Sequence, residues 1–506
     1  MSRNRYLPDW AVLLVSCAAQ FMVVLDFSIV NVALPSMRHS LELSPAGLQW
    51  VVNAYALSFA GFLLWGGRAA DLLGRKPVFM SGLGLFTLAS LAGGLSQSGA
   101  ELVAARAVQG LGGAVLAPAT LSLLTTTYTD AHARARALGA WSATAASGAA
   151  AGALLGGVLT ELVGWRSVLF VNVPIGAALL VVASRALRPA ASRAVASIRD
   201  LDLAGTLTGT AGLTVLVYGI VSTDSHPWGS ARTVVVLLVA ALLLAAFLAV
   251  EARLASRPLM PLRVFANRSL SAANGMAFMV GTVLFGASFF QSLYLQEVDG
   301  YSALRAGMSF LPQALVTLVT SLSMARLVRR TGPRPILRFA PLLAAGGLAW
   351  LAQLRPGATY FEDILGPFVL IGVGIGACFV PMTLAATSGV EHREQGLASG
   401  IVNTSRFVGG ALGLAAMSTL ATSRTAQLLA GRGAASQALR ERALTSGYDR
   451  AFLVAAALCV VAAAAGNLVP RVLVPGGRSP VPDLSARSER AGVAAHAAGE
   501  PVAAEM

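Results

Sequence analysis

The sequence predicts an all-α integral membrane protein with fourteen transmembrane helices, built as two six-helix bundles in parallel repeat with two extra helices between them. Three observations predict it. The chain of 506 residues is 56% hydrophobic and only 12% charged, where a soluble protein carries about 25% charged residues. Apolar runs of roughly 20 residues, the length that crosses the hydrocarbon core, recur along the chain. A loop pattern at 67–78 returns at 325–336. The length of the runs also argues against a β-barrel, whose segments are shorter and alternate apolar with polar.

The runs lie near 10–34, 47–67, 77–96, 100–123, 136–160, 166–187, 202–221, 233–251, 269–295, 304–325, 335–353, 362–386, 396–421 and 450–469. The first bundle takes 1–190, the two linker helices 191–265, and the second bundle 266–470. The tail 471–506 is rich in Pro, Gly, Ala, Ser and charge and is expected to be a disordered cytoplasmic segment. Arg3 and Arg5 precede the first run, and Leu14-Val15-Ser16-Cys17 loosely resembles a lipoprotein cleavage box. The run continues to Leu34, so it reads as a retained span rather than a cleaved signal.

The formal charge of +14 does not point to nucleic acid. The basic residues sit in short loops between apolar runs, as orientation signals do. With the N-terminus inside, roughly 25 of the 37 Lys and Arg fall on the cytoplasmic side and roughly 10 outside. Both termini are therefore expected in the cytoplasm. The loop 422–449 dissents: it holds Arg424, Arg432, Arg440 and Arg442 and should lie outside, so a special role is expected for it. Lys76 is the only lysine, which with the Ala and Gly load hints at a GC-rich bacterial genome and a bacterial cytoplasmic membrane. Cys17, Cys378 and Cys459 lie in apolar runs at unrelated spacings, and the five histidines lie outside the runs. No disulfide framework or metal motif can be read from them.

Internal repeats set the architecture. GRAADLLGRKPV (67–78) aligns without gaps with ARLVRRTGPRPI (325–336), so that Arg68 meets Arg326 and Gly74 meets Gly332. Gly139, Gly148 and Gly152 match Gly400, Gly409 and Gly413. Parallel repeats of this kind are a transporter plan, with the substrate site between the halves near mid-membrane.

Several stretches resemble the major facilitator superfamily. LDFSIVNVALP (25–35) is similar to its first-span motif, GGRAADLLGRKPV (66–78) to the loop motif after the second span, and RAVQGLGGA (106–114) to the fourth-span motif. Gly139, Gly148, Gly152 and Gly156 resemble the fifth-span antiporter motif; WRSVLFVNVPIG (165–176) and GLASGIVNTSRFVGG (396–410) also resemble family stretches. In this order and at these depths they resemble the fourteen-span drug:proton antiporters, over nearly the whole chain to about 470. Two positions depart: Ala153 stands where the antiporter motif usually has proline, and Arg329 stands opposite Asp71 in the second loop.

Asp26 is the residue that most needs a reason. At about 1.5 Å per residue it lies roughly 12 Å below Leu34, inside the hydrocarbon zone. An intramembrane carboxylate is functional by default, here as a proton or cation carrier; the plainer reading is a structural bond to a neighbouring helix. No other acid reads as deep within a span, so one proton or a small number is expected per cycle. Arg106 needs an acceptor or a watery cavity. It either tunes proton affinity and substrate charge, as the resemblance also implies, or bonds backbone carbonyls. Arg406 either lines the cavity or snorkels toward the cytoplasm. Asn31, Gln109, Gln291 and Asn403 are polar candidates for the cavity wall. Gly148, Gly152 and Gly156 recur four apart, which permits close helix packing; the resemblance implies that this helix, with Gly139, rocks and seals between the halves. It also implies that Gly67, Arg68, Asp71, Gly74, Arg75 and Lys76 form a conformational latch, with Asp71 paired across the half-interface in the outward-open state.

The expected function is proton-coupled export of a small amphipathic compound such as an antibiotic. The alternative is a dedicated exporter of an endogenous metabolite: a self-made antibiotic, an amino acid or a siderophore. ATP-driven transport by this chain is disfavoured, because the only lysine is followed by Pro77 and no GK[ST] loop exists. An enzyme or sensor is remote: the spans offer one Asp and two Arg, and no loop is long enough for a folded sensor domain. The expectation is a monomer with no cofactor, whose partners are substrate, protons and lipid.

Overall fold

We describe the protein from a computed structural model, over residues 8–187, 201–224, 226–255, 257–391, 394–430 and 436–470. Each predicted run falls on a helix. The first half holds α1 (Asp9–Ser40), α2 (Pro45–Leu73), α3 (Arg75–Leu95), α4 (Gly99–Thr127), α5 (Ala131–Leu162), α6 (Ser167–Phe170) and α7 (Asn172–Ala186). A hairpin of α8 (Leu203–Val221) and α9 (Ala231–Ala249) follows. The second half holds α10 (Arg268–Leu293), α11 (Ala303–Thr331), α12 (Pro333–Leu351), α13 (Leu365–Thr387), α14 (Gln395–Leu429) and α15 (Gln437–Ala465). Among the described residues, twelve helical segments are long and apolar enough to cross a membrane, with α6 and α7 counted as one. Helix α12, with Arg334 and Arg338, and α14, with Asn403 to Arg406, fall short of that mark.

Local chemistry sets the helix ends. Ser44, Ser98, Asp130 and Ser302 each accept a backbone N–H three residues on, filling donors that a helix start leaves open. Gly74 and Gly332 turn the chain at φ of 96° and 77°, a region that favours residues without Cβ. The two loops matched by sequence thus share their turn geometry.

The glycine repeat is matched too. Gly148, Gly152 and Gly156 of α5 face the backbone of α1, where an added Cβ would lie 2.9 Å from the Phe21 and Leu25 carbonyl oxygens and 2.8 Å from that of Ile29. Gly409 and Gly413 of α14 press on Phe278 and Thr282 of α10 in the same way. So α5 packs on α1 as α14 packs on α10. The three glycines seat α5 on α1 within the first half, while Gly157 of the same helix faces Ala303 and Leu304 of α11 across the halves. Gly139 does not share the contact, since a Cβ there would meet open space.

The halves meet through α1 with α10, α5 with α11, and α2 with α14. Four bonds cross on the face predicted to be outer. Arg38 donates to Glu297 at 2.8 Å, Ser292 to the Asn31 carbonyl at 2.8 Å, and Gln296 to the Val32 carbonyl at 3.0 Å. Glu161 accepts the Leu304 N–H at 2.8 Å. Toward the other face, α5 before Gly148 and α11 beyond Phe310 bury only Ala137 and Val328 among the described side chains. Helix α8 lies against both α2 and α14, with Gly61 facing Thr210 and Thr419 bonded to the Ile220 carbonyl.

The arginine-rich segment 422–449 is mostly not a loop. Helix α14 runs on to Leu429 and α15 begins at Gln437. Arg424 bonds Ser446 at 3.2 Å and Thr425 bonds the Ala443 carbonyl at 3.1 Å, joining the two extensions. Arg432 and the tail 471–506 lie outside the described residues.

Two outcomes follow from this packing. Gly152→Leu is expected to cost about 1–3 kcal/mol by overpacking the α1–α5 contact, whereas Gly139→Ala should be neutral or slightly stabilising; thermal melts of the purified protein compare them. Asp299, in the turn after α10, accepts the Gly357 N–H, and burial pushes its carboxyl up to about 6. The folded state then holds this proton more tightly than an ordinary Asp does. The associated stability is full below the ordinary range near 4 and is lost as pH rises through about 6. Asp299→Asn should flatten the melting temperature across that window.

Candidate functional site

The centre of the first half is a buried carboxylate–guanidinium pair. Asp26 is 0% and Arg106 2% exposed. Helix α1 continues past Pro35 to Ser40, so Asp26 sits about 21 Å from that end, near mid-helix. Arg106 Nη1 lies 2.6 Å from Asp26 Oδ2. Gln109 Nε2 and Asn172 Nδ2 both donate to Asp26 Oδ1, at 2.7 and 2.8 Å. Ser90 Oγ accepts from the same two amides at 2.5 and 3.1 Å. Arg106 also donates to Gln109 Oε1 at 2.6 Å and to the Val51 carbonyl at 3.3 Å, and its guanidinium stands 4.4 Å from the Tyr55 ring centroid.

The backbone explains why these groups converge. Gly110 lets α4 approach the Tyr55 carbonyl of α2, which brings Arg106 over the Tyr55 ring. Arg106 and Gln109 are three apart and share a helix face. Pro174 has no N–H to offer the Phe170 carbonyl, so the helix is interrupted there and Asn172 starts α7. Burying two ions costs several kcal/mol each, which their attraction offsets only when the remaining lone pairs and protons are also satisfied. Here three donors from α4 and α7 saturate the carboxylate. Two atoms at the rim are left over: Tyr55 Oη and Asn172 Oδ1 are buried with no partner among the described residues.

The other sequence candidates divide. Gln109 joins the Asp26 centre. Asn31 donates to the Phe27 carbonyl of its own helix, and Asn403 donates to that of Ser399. Gln291 does not line the space between the halves; it is buried inside the second half beside Tyr294, Leu351, Phe368 and Phe452. Arg406 lies against Phe379 and Phe407. At the predicted latch, Gly67 faces Pro118 and Arg68 bonds the Arg257 carbonyl. Arg75 bonds Ser122 at 2.7 Å. Lys76 donates to the Ser184 and Leu187 carbonyls at 2.7 and 2.8 Å, a cation at the negative end of α7. Asp71 is exposed beside the Gly74 turn. Arg75 and Lys76 thus brace the first half against itself.

Sequence reasoning missed Ser90, Asn172 and Tyr55. Asn172 was in view as a lone amide in an apolar run; nothing local marks Ser90 or Tyr55. Asp449 lies in the polar first part of α15, just before the apolar run at 450–469, partly buried and with Oδ1 unpartnered among the described residues.

Removing one ion of the pair strands the other. Arg106→Gln should cost about 3–5 kcal/mol of stability. Adding Asp26→Asn should restore much of that loss, because no uncompensated charge remains. A thermal double-mutant cycle reads this directly, and additive losses would show that the pair is not coupled.

The profile described as Major Facilitator Superfamily matches residues 16–414. A cephamycin export protein of Amycolatopsis lactamdurans is 46% identical over 82% of this chain and 85% of its own. A puromycin resistance protein of Streptomyces alboniger is 42% identical over 84% of each chain. The crystal structure of a bacterial homologue of the lysosomal transporter Spinster, inward-facing and unoccupied, superposes with a TM-score of 0.65 at 18% identity, covering 95% of this chain and 100% of its own. With the family profile spanning most of its length and the repeated helical halves that such proteins share, the chain belongs to the Major Facilitator Superfamily.

Proposed function

We propose that the protein is a proton-coupled secondary exporter of small amphipathic compounds, in the bacterial cytoplasmic membrane, with fourteen spans and both termini in the cytoplasm. The observation that carries this is the Asp26–Arg106 pair, fully buried, with exchangeable partners on every side. The names of the export and resistance relatives support the direction of transport. The bonds on the predicted outer face, with the other face splayed, correspond on this reading to a state open to the cytoplasm.

In this state the carboxylate is matched by Arg106. After substrate from the cytoplasm has driven the change to the outward-open state, helix movement draws the guanidinium away, toward Gln109 Oε1, the Val51 carbonyl and the Tyr55 hydroxyl. Asp26 then faces protons from outside. A carboxylate left without its cation in a low-dielectric site is relieved by taking a proton. Return of Arg106 in the cytoplasm-open state releases that proton to the cytoplasm, so proton entry is exchanged for substrate exit. Gln109 and Asn172 hold Asp26 in place through both steps, since an amide N–H serves the charged and the neutral carboxyl alike. No bound cofactor is needed; the proton gradient supplies the energy. One charge crossing 100 mV yields about 2.3 kcal/mol, enough for a substrate gradient of roughly 50-fold at 1.4 kcal/mol per decade.

A narrower reading, a dedicated exporter of one endogenous antibiotic, uses the same chemistry and is favoured by the 46% identity to an export protein for a single compound class. Efflux assays across chemical classes separate broad from narrow specificity. Asp26→Asn should abolish pH-gradient-driven transport in inverted vesicles while leaving substrate binding within about threefold of wild type. Full retained coupling would remove Asp26 from the mechanism.

A further inference from the structure

Arg406 is a cation without a counter-ion. It sits about 16 Å into α14, with its guanidinium 5.6 Å from the ring centroid of Phe379 and 5.5 Å from that of Phe407. Among the described residues no carboxylate lies within ion-pair distance and no side-chain hydrogen bond is made from it. The contrast with Arg106 is direct, since that arginine is matched by Asp26 and two further oxygens. Arg406 as a residue is partly exposed, while its guanidinium is desolvated by the protein around it.

Its surroundings come from both halves. Phe407 stacks on Phe59 of α2 at 4.4 Å, and Phe59 on Tyr55 at 5.9 Å. Phe27 and Phe285 meet at 4.5 Å, and Phe285 abuts Phe407 at 5.4 Å. This aromatic layer joins α1, α2, α10 and α14, with Arg106 over Tyr55 at one end and Arg406 beside Phe407 at the other. The charges of the layer do not cancel: Asp26 neutralises Arg106, and Arg406 leaves one positive charge. Aromatic faces offset part of the cost of a desolvated guanidinium, and an anion with oxygen acceptors offsets more.

We propose that Arg406 anchors the anionic group of the transported compound and that Phe59 and Phe407 clamp its flat body, so that the preferred substrates are aromatic or planar monoanions. This rests on the export reading and names its substrate class. The planar guanidinium fork suits a carboxylate or sulfonate. A flat ring system entering between Phe59 and Phe407 replaces one stacked contact with two.

The test uses the full-length purified protein and three fluorescent probes of one shape: dansylglycine (anionic), dansylglycinamide (neutral) and dansylethylenediamine (cationic). Wild type should bind the acid about tenfold more tightly than the amide, with the amine weakest. Arg406→Gln should abolish the acid-over-amide preference while amide affinity stays within about threefold, and Arg406→Lys should keep most of it. The proposal is overturned if wild type shows no preference for the acid, if Arg406→Gln retains it, or if Arg406→Gln weakens acid and amide equally. The wild-type comparison decides even where a variant fails to fold. The acid-over-amide preference of the wild type is read by binding alone, and failure of proton coupling appears only in the vesicle assay, which separates the two readings.

Discussion

A charge in hydrocarbon is costly, and the first half of this protein is organised around meeting that cost at one place. Asp26 and Arg106 meet there, and α2, α4 and α7 complete their hydrogen bonds. The surrounding architecture serves that geometry. Gly110 lets α4 close on α2, Gly152 lets α5 close on the α1 turn that carries Asp26, and Pro174 interrupts the sixth span where Asn172 must point inward. A buried pair of this kind is weak support for stability in itself, because apolar replacements of the same shape often do as well. Its value lies in having two states.

The second half has the same helices without the charge. By the correspondence of the glycine contacts, Val283 of α10 takes the place that Asp26 holds in α1. It lines a small cavity with Leu284, Ala287, Ile371 and Ile375, whose wall also holds the uncharged polar residues Ser288, Gln313 and Thr317. On the proposed reading proton chemistry is confined to one half, while the bonds from α10 to α1 and from α11 to α5 tie the other half to it. The aromatic layer is where the two can influence each other: a ring that touches the substrate at Phe407 is two stacked contacts from the ring beneath Arg106.

Much of this was legible in the sequence, for physical reasons. A lone Asp and a lone Arg stand out in apolar runs, because nothing but function or pairing justifies them there. The repeats stood out because positive-φ turns and close helix contacts leave glycine few substitutes. Other features were invisible or misleading. Ser90 is an unremarkable small residue until α3, α4 and α7 bring it to the amides. Gln291 was placed on the wrong side of its helix, since a helix buried all round has no amphipathic stripe to orient it. The segment 422–449 looked like a loop because helix extensions beyond the membrane are polar, and hydropathy cannot distinguish the two.

The central claim is that Asp26 is the protein's proton carrier within the membrane. Infrared difference spectroscopy on the purified protein tests it without a substrate, by following the carbonyl stretch of a protonated carboxylic acid through an acid titration. The account predicts such a band from a water-shielded site in wild type, kept in Asp299→Asn and lost in Asp26→Asn. A shielded carboxylic band that survives unchanged in Asp26→Asn would contradict it and move the proton to another acid.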